Sequence, residues 1–495
     1  MKRGFLIIAV LLLSMLMKAQ PCKEVIAYYP NWQWYDRGNL VGPTSIDYSN
    51  YTIINYSFFS PQANGQISQI DTWADENLLL GQPDWQNGGY YPNTSIIDLA
   101  HNNGVKVLAS IGGWTLSNNF PGIAADSSKR AIFAGECIGL INLFGFDGID
   151  IDWEYPGYAE HNGTPNDGPY FTALLQSIRD SLDALELSSG ANYLLTSCFS
   201  ADPAKMTIIE WSNVDSIIDY FNMMTYDFFG AWDAYSNHNS PLYAPAQGNP
   251  SFNLNATFLN VSQVYGISPS KINLGIAFYG RSVTGCTSLH GTNNGSADNS
   301  TFWEDEGSPL YYNILKKMNL FTSYWDSSAQ VPYLLGNSLN TFVSYDDKES
   351  VAKKAQYVVN NNAGGVIIWE MTGDYIETTP GSGIISGTPL CDTLNYVLCG
   401  TLTSDEELVK AIPQIVVSPN PAMRGKSVTI ASSIEPSRFS RLNVYSTSGS
   451  VIHSEMINSS DKSINFLNLR VENPGVYIIE LSGRNVRVQQ KLIVL

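Results

Sequence analysis

Eight short, almost unbroken apolar runs recur along the chain, at 25–29, 51–58, 105–111, 148–153, 193–199, 220–225, 272–279 and 365–369. Strands rich in Val, Ile and Leu without polar alternation are those covered on both faces, a property of parallel sheets. Longer helix-period segments lie between several of them, at 126–143, 169–187 and 348–361. Parallel neighbours need such crossovers. Eight strand–helix repeats predict an α/β fold, a closed (β/α)8 barrel larger than the ~250-residue norm. The interval from 282 to about 345, between the seventh and eighth runs, is too long for a plain connection and predicts an inserted subdomain. A doubly wound open sheet is the structural alternative, but no Gly-rich phosphate loop supports it.

Composition narrows the partners. Of 495 residues, 44% are hydrophobic and only 15% charged, which excludes disorder and coiled coil. A net charge of −18 argues against nucleic acid and anionic membrane and leaves a neutral or cationic partner. Eleven Trp and 28 Tyr are many for so few charges; flat rings suit sugar faces, though most serve the core.

Residues 1–20 read as an export signal, with Lys2 and Arg3 before a 13-residue apolar run and Ala19 near the cut. The run falls short of the ~20 residues a membrane span needs, and the competing reading is a retained N-terminal anchor. Pro21 before Cys22 does not fit a lipoprotein cut. No later stretch is long enough to span, so the mature chain is expected to be secreted and monomeric. Six cysteines remain after the signal, and Cys391 with Cys399 is the expected pair, closing a short loop. Cys137 and Cys198 read as buried thiols. No CxxC or His cluster occurs, so neither metal nor cofactor is expected.

Charge also divides the chain. Residues 21–413 hold 15 Lys+Arg against 40 Asp+Glu, whereas 414–495 hold nine against five. The expected organisation is a signal at 1–20, a barrel at 21–400, a linker at 401–413 and a final domain at 414–495. Period-2 runs at 427–431, 441–445, 475–481 and 486–494 make that last part a small β-sandwich with no catalytic constellation.

The chemistry concentrates in one stretch. Asp150, Asp152 and Glu154 stand at i, i+2 and i+4 with apolar residues between them. On a strand they share one face, spaced ~6.5–7 Å along the chain. Three acids in a partly buried row cannot all ionise, so protons are shared and at least one pKa rises. A raised carboxylic acid at the C-terminal end of a barrel strand suits glycoside cleavage. A Ca²⁺ or Mg²⁺ site and a purely structural network are the competing readings, the first weakened because EF-hand spacing is absent.

The stretch 147–156, DGIDIDWEYP, resembles the DxxDxDxE signature of family 18 glycoside hydrolases, the chitinases and their relatives. The segments 110–114 (SIGGW), 223–227 (MMTYD), 279–281 (YGR) and 364–370 (GGVIIWE) resemble that family's third-, sixth-, seventh- and eighth-strand motifs, in order. The resemblance implies Glu154 as general acid and then base, while the substrate's own 2-acetamido oxygen attacks C1 with retention. It implies Asp152 orienting that acetamido group, Asp150 sharing a proton with Asp152, and Tyr226 donating to the acetamido oxygen. Met224 and Asp227 line the same pocket. Trp369 resembles the aromatic floor under the distorted sugar, Trp114 and Trp232 match leaving-group-side positions, and Trp32 one on the opposite side. Tyr28, Tyr279 and Arg281 supply polar contacts. The insertion resembles the family's α+β subdomain. Asp147 is out of phase with the row and reads as structural.

The implied substrate is chitin or its oligomers, cut at β-1,4 bonds between N-acetylglucosamine units. An endo-β-N-acetylglucosaminidase acting on N-glycans and a non-catalytic chitin-binding lectin are the alternatives. In the last domain, VSPNP at 417–421, LNVY at 442–445 with Gly449, GVY at 475–477 and KLIV at 491–494 resemble a type IX secretion sorting domain. That likeness implies the secretion machinery as a partner; a carbohydrate-binding module competes but has no Trp to stack on sugars.

Overall fold

Parallel hydrogen bonding closes the eight apolar runs on themselves. In the computed structural model they are β1 (Glu24–Pro30), β2 (Ile53–Pro61), β3 (Lys106–Gly112), β4 (Gly148–Asp152), β5 (Leu194–Ser200), β6 (Tyr220–Met224), β7 (Ile272–Ala277) and β8 (Gly365–Trp369). Each pairs in parallel with the next, and β8 returns to β1. Ala27 thus faces Ile54 on one side and Ile368 on the other. The structure describes residues 22–399, 415–418, 422–432, 441–446, 450–456, 467–470, 473–483 and 486–494. The expected export signal at 1–20, the linker at 401–413, and Pro419, Asn420, Pro421 and Gly449 of the sorting likeness lie outside the described residues.

Period-2 alternation survives inside these double-covered strands. Val25, Ala27 and Tyr29 of β1, like Ile149 and Ile151 of β4, pack outward with Phe133, Leu140, Phe171 and Leu175 of the surrounding helices. Ile26 and Tyr28 point inward with Leu108, Cys198, Met224, Tyr226 and Ile367. The outward isoleucines of β4 therefore force Asp150 and Asp152 into the barrel. Helix Ser127–Phe144 begins at Asp126, whose carboxylate caps Ser128 and Lys129 N–H, and ends on left-handed Gly145. Helix Lys348–Asn360 opens with a reciprocal capping box between Asp347 and Ser350.

One glycine sets how closely β3 meets the acid strand. Gly112 has φ 115°, and a Cβ there would lie 2.2 Å from the Asp152 carbonyl oxygen. Gly113 N–H donates to that same carbonyl at 2.7 Å.

Between β7 and β8 an α+β subdomain is inserted. Strands Arg281–Thr284, Phe321–Asp326, Val331–Gly336 and Thr341–Ser344 form a four-stranded antiparallel sheet, with helix Tyr311–Lys317 beside it. Among the described residues the C-terminal region is built of β-strands. Arg441–Ser446, Val451–Met456, Gly475–Gly483 and Val486–Val494 make one antiparallel sheet, and Ile415–Ser418, Ser427–Ser432 and Leu467–Arg470 a second. Among the described residues no helix is long and apolar enough to cross a membrane.

The expected Cys391–Cys399 pair is corrected. Residues Pro389–Leu398 form a helix, capped by Cys399, rather than a loop. Eight residues along a helix rise about 12 Å, beyond the roughly 7 Å Cα separation that a disulfide tolerates. Cys399 instead bonds Cys22, with Cα atoms 4.5 Å apart, tying the segment just before β1 to the last barrel helix. Cys391 is a buried thiol, as are Cys137, Cys198 and Cys286. Proteolysis of unreduced, alkylated protein followed by mass spectrometry is expected to yield a cross-linked Cys22–Cys399 peptide pair. Recovery of Cys391 in the cross-link would contradict this topology.

Candidate active site

Asp150 sits where four strands converge. Its Oδ2 accepts from Tyr28 of β1 at 2.8 Å and Ser110 of β3 at 2.9 Å. Its Oδ1 accepts from Thr196 of β5 at 2.5 Å and Asn222 of β6 at 3.3 Å. Asn273 of β7 donates to the Asn222 carbonyl oxygen at 3.0 Å, which fixes the direction of that amide. Burial pushes the Asp150 pKa up, and the bonds from Thr196, Tyr28, Ser110 and Asn222 pull it back. Four donors on one carboxylate describe an anion, and they leave no open lone pair for a cation ligand.

Asp152, two residues on, is buried with the opposite inventory. Its Oδ1 has no hydrogen-bond partner among the described residues. Burial first, then the charges of Glu154 and Asp150, push its pKa well above the carboxylate range; a bond from the Cys198 thiol opposes them. An orphaned oxygen beside a saturated carboxylate favours the protonated form of Asp152.

Glu154 follows at the mouth. Trp153 before it is buried outward and stacks on Phe120 at 5.4 Å, which anchors the turn. The Glu154 N–H donates to Ser117 Oγ at 2.8 Å, and its carbonyl accepts from His161 Nδ1 at 2.6 Å. Desolvation pushes its pKa up to about 7, Asp227 adds to the rise, and the Tyr155 hydroxyl and the Lys205 charge oppose it. Non-proline cis peptides lie at Ser57–Phe58, Glu154–Tyr155 and Trp369–Glu370.

The other expected residues frame the row. Buried Tyr226 and Tyr279 meet edge to face with ring centres 6.0 Å apart, and Met224 lies beside them. Asp227 adopts a left-handed backbone (φ 58°), its N–H held by Asn239 Oδ1 at 2.9 Å. Its carboxylate accepts from Tyr279 at 2.5 Å and from two Arg281 nitrogens at 2.8 and 2.7 Å. This fork is bidentate, the geometry guanidinium favours. The same guanidinium lies 5.2 Å from the Trp232 ring centre. Trp369 stacks on Phe58 at 5.7 Å, with Tyr28 at 5.7 Å and Trp32 at 6.4 Å. Trp114 stands 4.5 Å from the His161 ring and 5.6 Å from Tyr158. Trp32, Trp114 and Trp232 are 39%, 49% and 61% exposed, so each keeps an open ring face toward solvent.

Asp147 lies at the other end of β4, where its Oδ2 accepts from Val107 N–H at 2.7 Å and meets His101 at 2.8 Å. Residues absent from the sequence reading complete the site. Ser110 stood within a quoted motif without a role, and Thr196 and Asn222 each sit two positions before an inward residue, so period 2 points to them. Phe58, Ser117 and His161 carry no local pattern that marks them.

The pH dependence of stability tests the Glu154 environment. Unfolded, Glu154 ionises near its ordinary value of 4.5; folded, it holds its proton up to about 7. The folded state therefore binds the extra proton in that window, and stability falls as pH rises through it. Glu154→Gln removes this penalty. Its melting temperature is expected to match the parent's below pH 4.5 and to exceed it progressively up to about pH 7. Parallel melting curves across that range would refute the assignment.

Residues 24–374 match the family model described as glycosyl hydrolases family 18, and residues 416–495 match a secretion system C-terminal sorting domain. Chitinase A1 of Niallia circulans is 34% identical over 404 residues, covering 72% of this chain and 57% of that protein. Endochitinase 1 of Metarhizium robertsii is 32% identical over 359 residues, covering 70% of this chain and 80% of that one. Among solved structures, Chitinase ChiA74 from Bacillus thuringiensis superposes with TM-score 0.67 at 25% identity, covering 96% of this chain and 85% of that chain.

Proposed function

The chain belongs to family 18 of the glycosyl hydrolases, and on that premise we propose that it is a secreted chitinase acting by substrate-assisted catalysis. The observation that carries this reading is the contrast along β4: a saturated Asp150, a proton-holding Asp152, and Glu154 at the mouth with its pKa near 7.

Below that pKa Glu154 holds a proton and gives it to the glycosidic oxygen. The C1–O bond breaks with its electron pair going to that oxygen. The acetamido carbonyl oxygen of the same sugar closes onto C1, forming an oxazolinium. Asp152 faces the acetamido nitrogen; as positive charge develops on the ring its proton shifts toward Asp150, with which it is shared, and the Asp152 carboxylate so formed stabilises that charge. Tyr226, buried against Tyr279, donates its hydroxyl to the acetamido oxygen and aims it. Glu154, now a carboxylate, takes a proton from water attacking C1; the C1–O bond to the acetamido oxygen breaks with its electron pair returning to that oxygen, and the β-configuration returns.

The surrounding groups hold the chain. Trp369, braced by Phe58, forms the floor beneath the reacting sugar. Trp32 stacks on the non-reducing side, and Trp114 and Trp232 on the leaving-group side. Tyr28, Met224, Asp227, Tyr279 and Arg281 line the pocket, with Asp227 locked by the Arg281 fork. The exposed indoles and the inserted sheet favour a linear polymer over an N-glycan core. The retained acids and Tyr226 argue against a lectin. Residues 416–495 address the protein to a secretion system, and it acts as a monomer.

Glu154→Gln is expected to lower the rate on chito-oligomers by at least the 10²–10⁴-fold that general acid catalysis supplies, while oligomer binding persists in calorimetry. Unchanged hydrolysis would falsify the role. Asp152→Asn should also slow turnover heavily. The first product seen by NMR is expected to be the β-anomer, and an initial α-anomer excludes the oxazolinium route. Cleavage of a high-mannose glycoprotein in preference to chito-oligomers would redirect the substrate to N-glycans.

A further inference from the structure

Besides Arg281, a second cation stands beside the acid row, on the loop after β5. Asp202 caps the short helix Pro203–Met206 after β5 by accepting from Ala204 N–H at 3.0 Å, and that turn fixes the origin of Lys205. The Lys205 ammonium lies 5.2 Å from the centre of the Tyr155 ring and 5.8 Å from that of Tyr158. It also bonds Asp202 Oδ2 at 3.2 Å. The Tyr155 hydroxyl is itself bonded to Glu154, so one aromatic ring separates the ammonium from the acid. Tyr158 in turn flanks Trp114 at 5.6 Å. A sugar stacked on Trp114, the leaving-group side in the reading above, would therefore lie across the Tyr155 and Tyr158 rings from Lys205, within reach of its field.

We infer that Lys205 is a specificity-determining residue: its ammonium disfavours a deacetylated, ammonium-bearing sugar at the first leaving-group position relative to the neutral acetylated one. Two aromatic faces hold the charge in place, an arrangement that favours a cation and costs little to maintain. Asp202 takes up part of the charge, and Glu160 lies further out, accepting from the Tyr158 hydroxyl at 2.7 Å. Glu154 is also faced by Asp152 from its own strand, by Tyr155, and by Asp227 from beyond β6. For like charges ~8 Å apart at an effective dielectric of about 40, discrimination is about five-fold.

This inference rests on the proposed chitinase reading, and one substrate separates their failures. Partially deacetylated chitosan is digested at mildly acidic pH, where the sugar amine is charged, and both new ends of each product are sequenced. Substrate assistance demands an acetylated sugar at every new reducing end; glucosamine there in the parent enzyme would overturn the mechanism, not Lys205. The Lys205 claim is read at the new non-reducing ends. With Lys205→Gln, glucosamine at those ends is expected to rise about five-fold while the reducing ends stay acetylated. With Asp202→Asn, which keeps the helix cap but frees the ammonium, it should fall below the parent level.

The contrast should vanish at a pH where the sugar amine is neutral, a dependence that a merely structural lysine would not produce. Removing the cation also destabilises ionised Glu154, so the alkaline limb of kcat/KM should move to higher pH in Lys205→Gln. Non-reducing ends that are unchanged in both variants overturn the proposal.

Discussion

A single buried carboxylate, Asp150, is the point on which the rest of the site depends. It draws donors from β1, β3, β5 and β6, so four separate strands are held to one centre. A charge in a barrel interior is costly unless hydrogen bonds replace its lost water. Here they do, and the anion they stabilise then acts on its neighbours. Asp152, left with an orphaned oxygen beside that anion, favours its protonated form, while burial and the Asp227 charge raise Glu154 into the range of a working acid. A fold requirement and a catalytic requirement are met by the same four bonds.

Around that centre the cleft is polarised along its length. Asp227 and Arg281 neutralise each other through a two-pronged bond on one wall. The Lys205 ammonium rests on tyrosine rings by the leaving-group end. In the proposed mechanism the reacting sugar is fixed by aromatic faces and the acetamido chemistry, and the inferred role of Lys205 is to discriminate between chains. On the proposed reading catalysis draws on β4 itself and the loops after β4 and β6, and selectivity on the loop after β5.

Much of this was legible without coordinates. Runs of Val, Ile and Leu mark strands that must be covered on both faces, and eight of them with helices between leave little besides a closed barrel. The i, i+2, i+4 acids declare their shared face because Ile149 and Ile151 fill the other. What escaped notice depends on closure. Tyr28 and Asp150 are 122 residues apart, and only the completed ring of strands joins them. The Cys22–Cys399 bond spans 377 residues and was hidden because 389–398 reads as a loop when its apolar helical face is overlooked. Phe58 beneath Trp369 and the Ser117 and His161 clamps on the Glu154 backbone have no periodic mark at all.

The central claim concerns where one proton resides, and neutron diffraction of the unliganded, deuterium-exchanged protein at neutral pH observes it directly. The account predicts nuclear density for a deuteron on Asp152 and none on Asp150, with the Tyr28, Ser110 and Thr196 hydroxyls all pointing at the Asp150 oxygens. A deuteron bound to Asp150, with Asp152 bare, would contradict it.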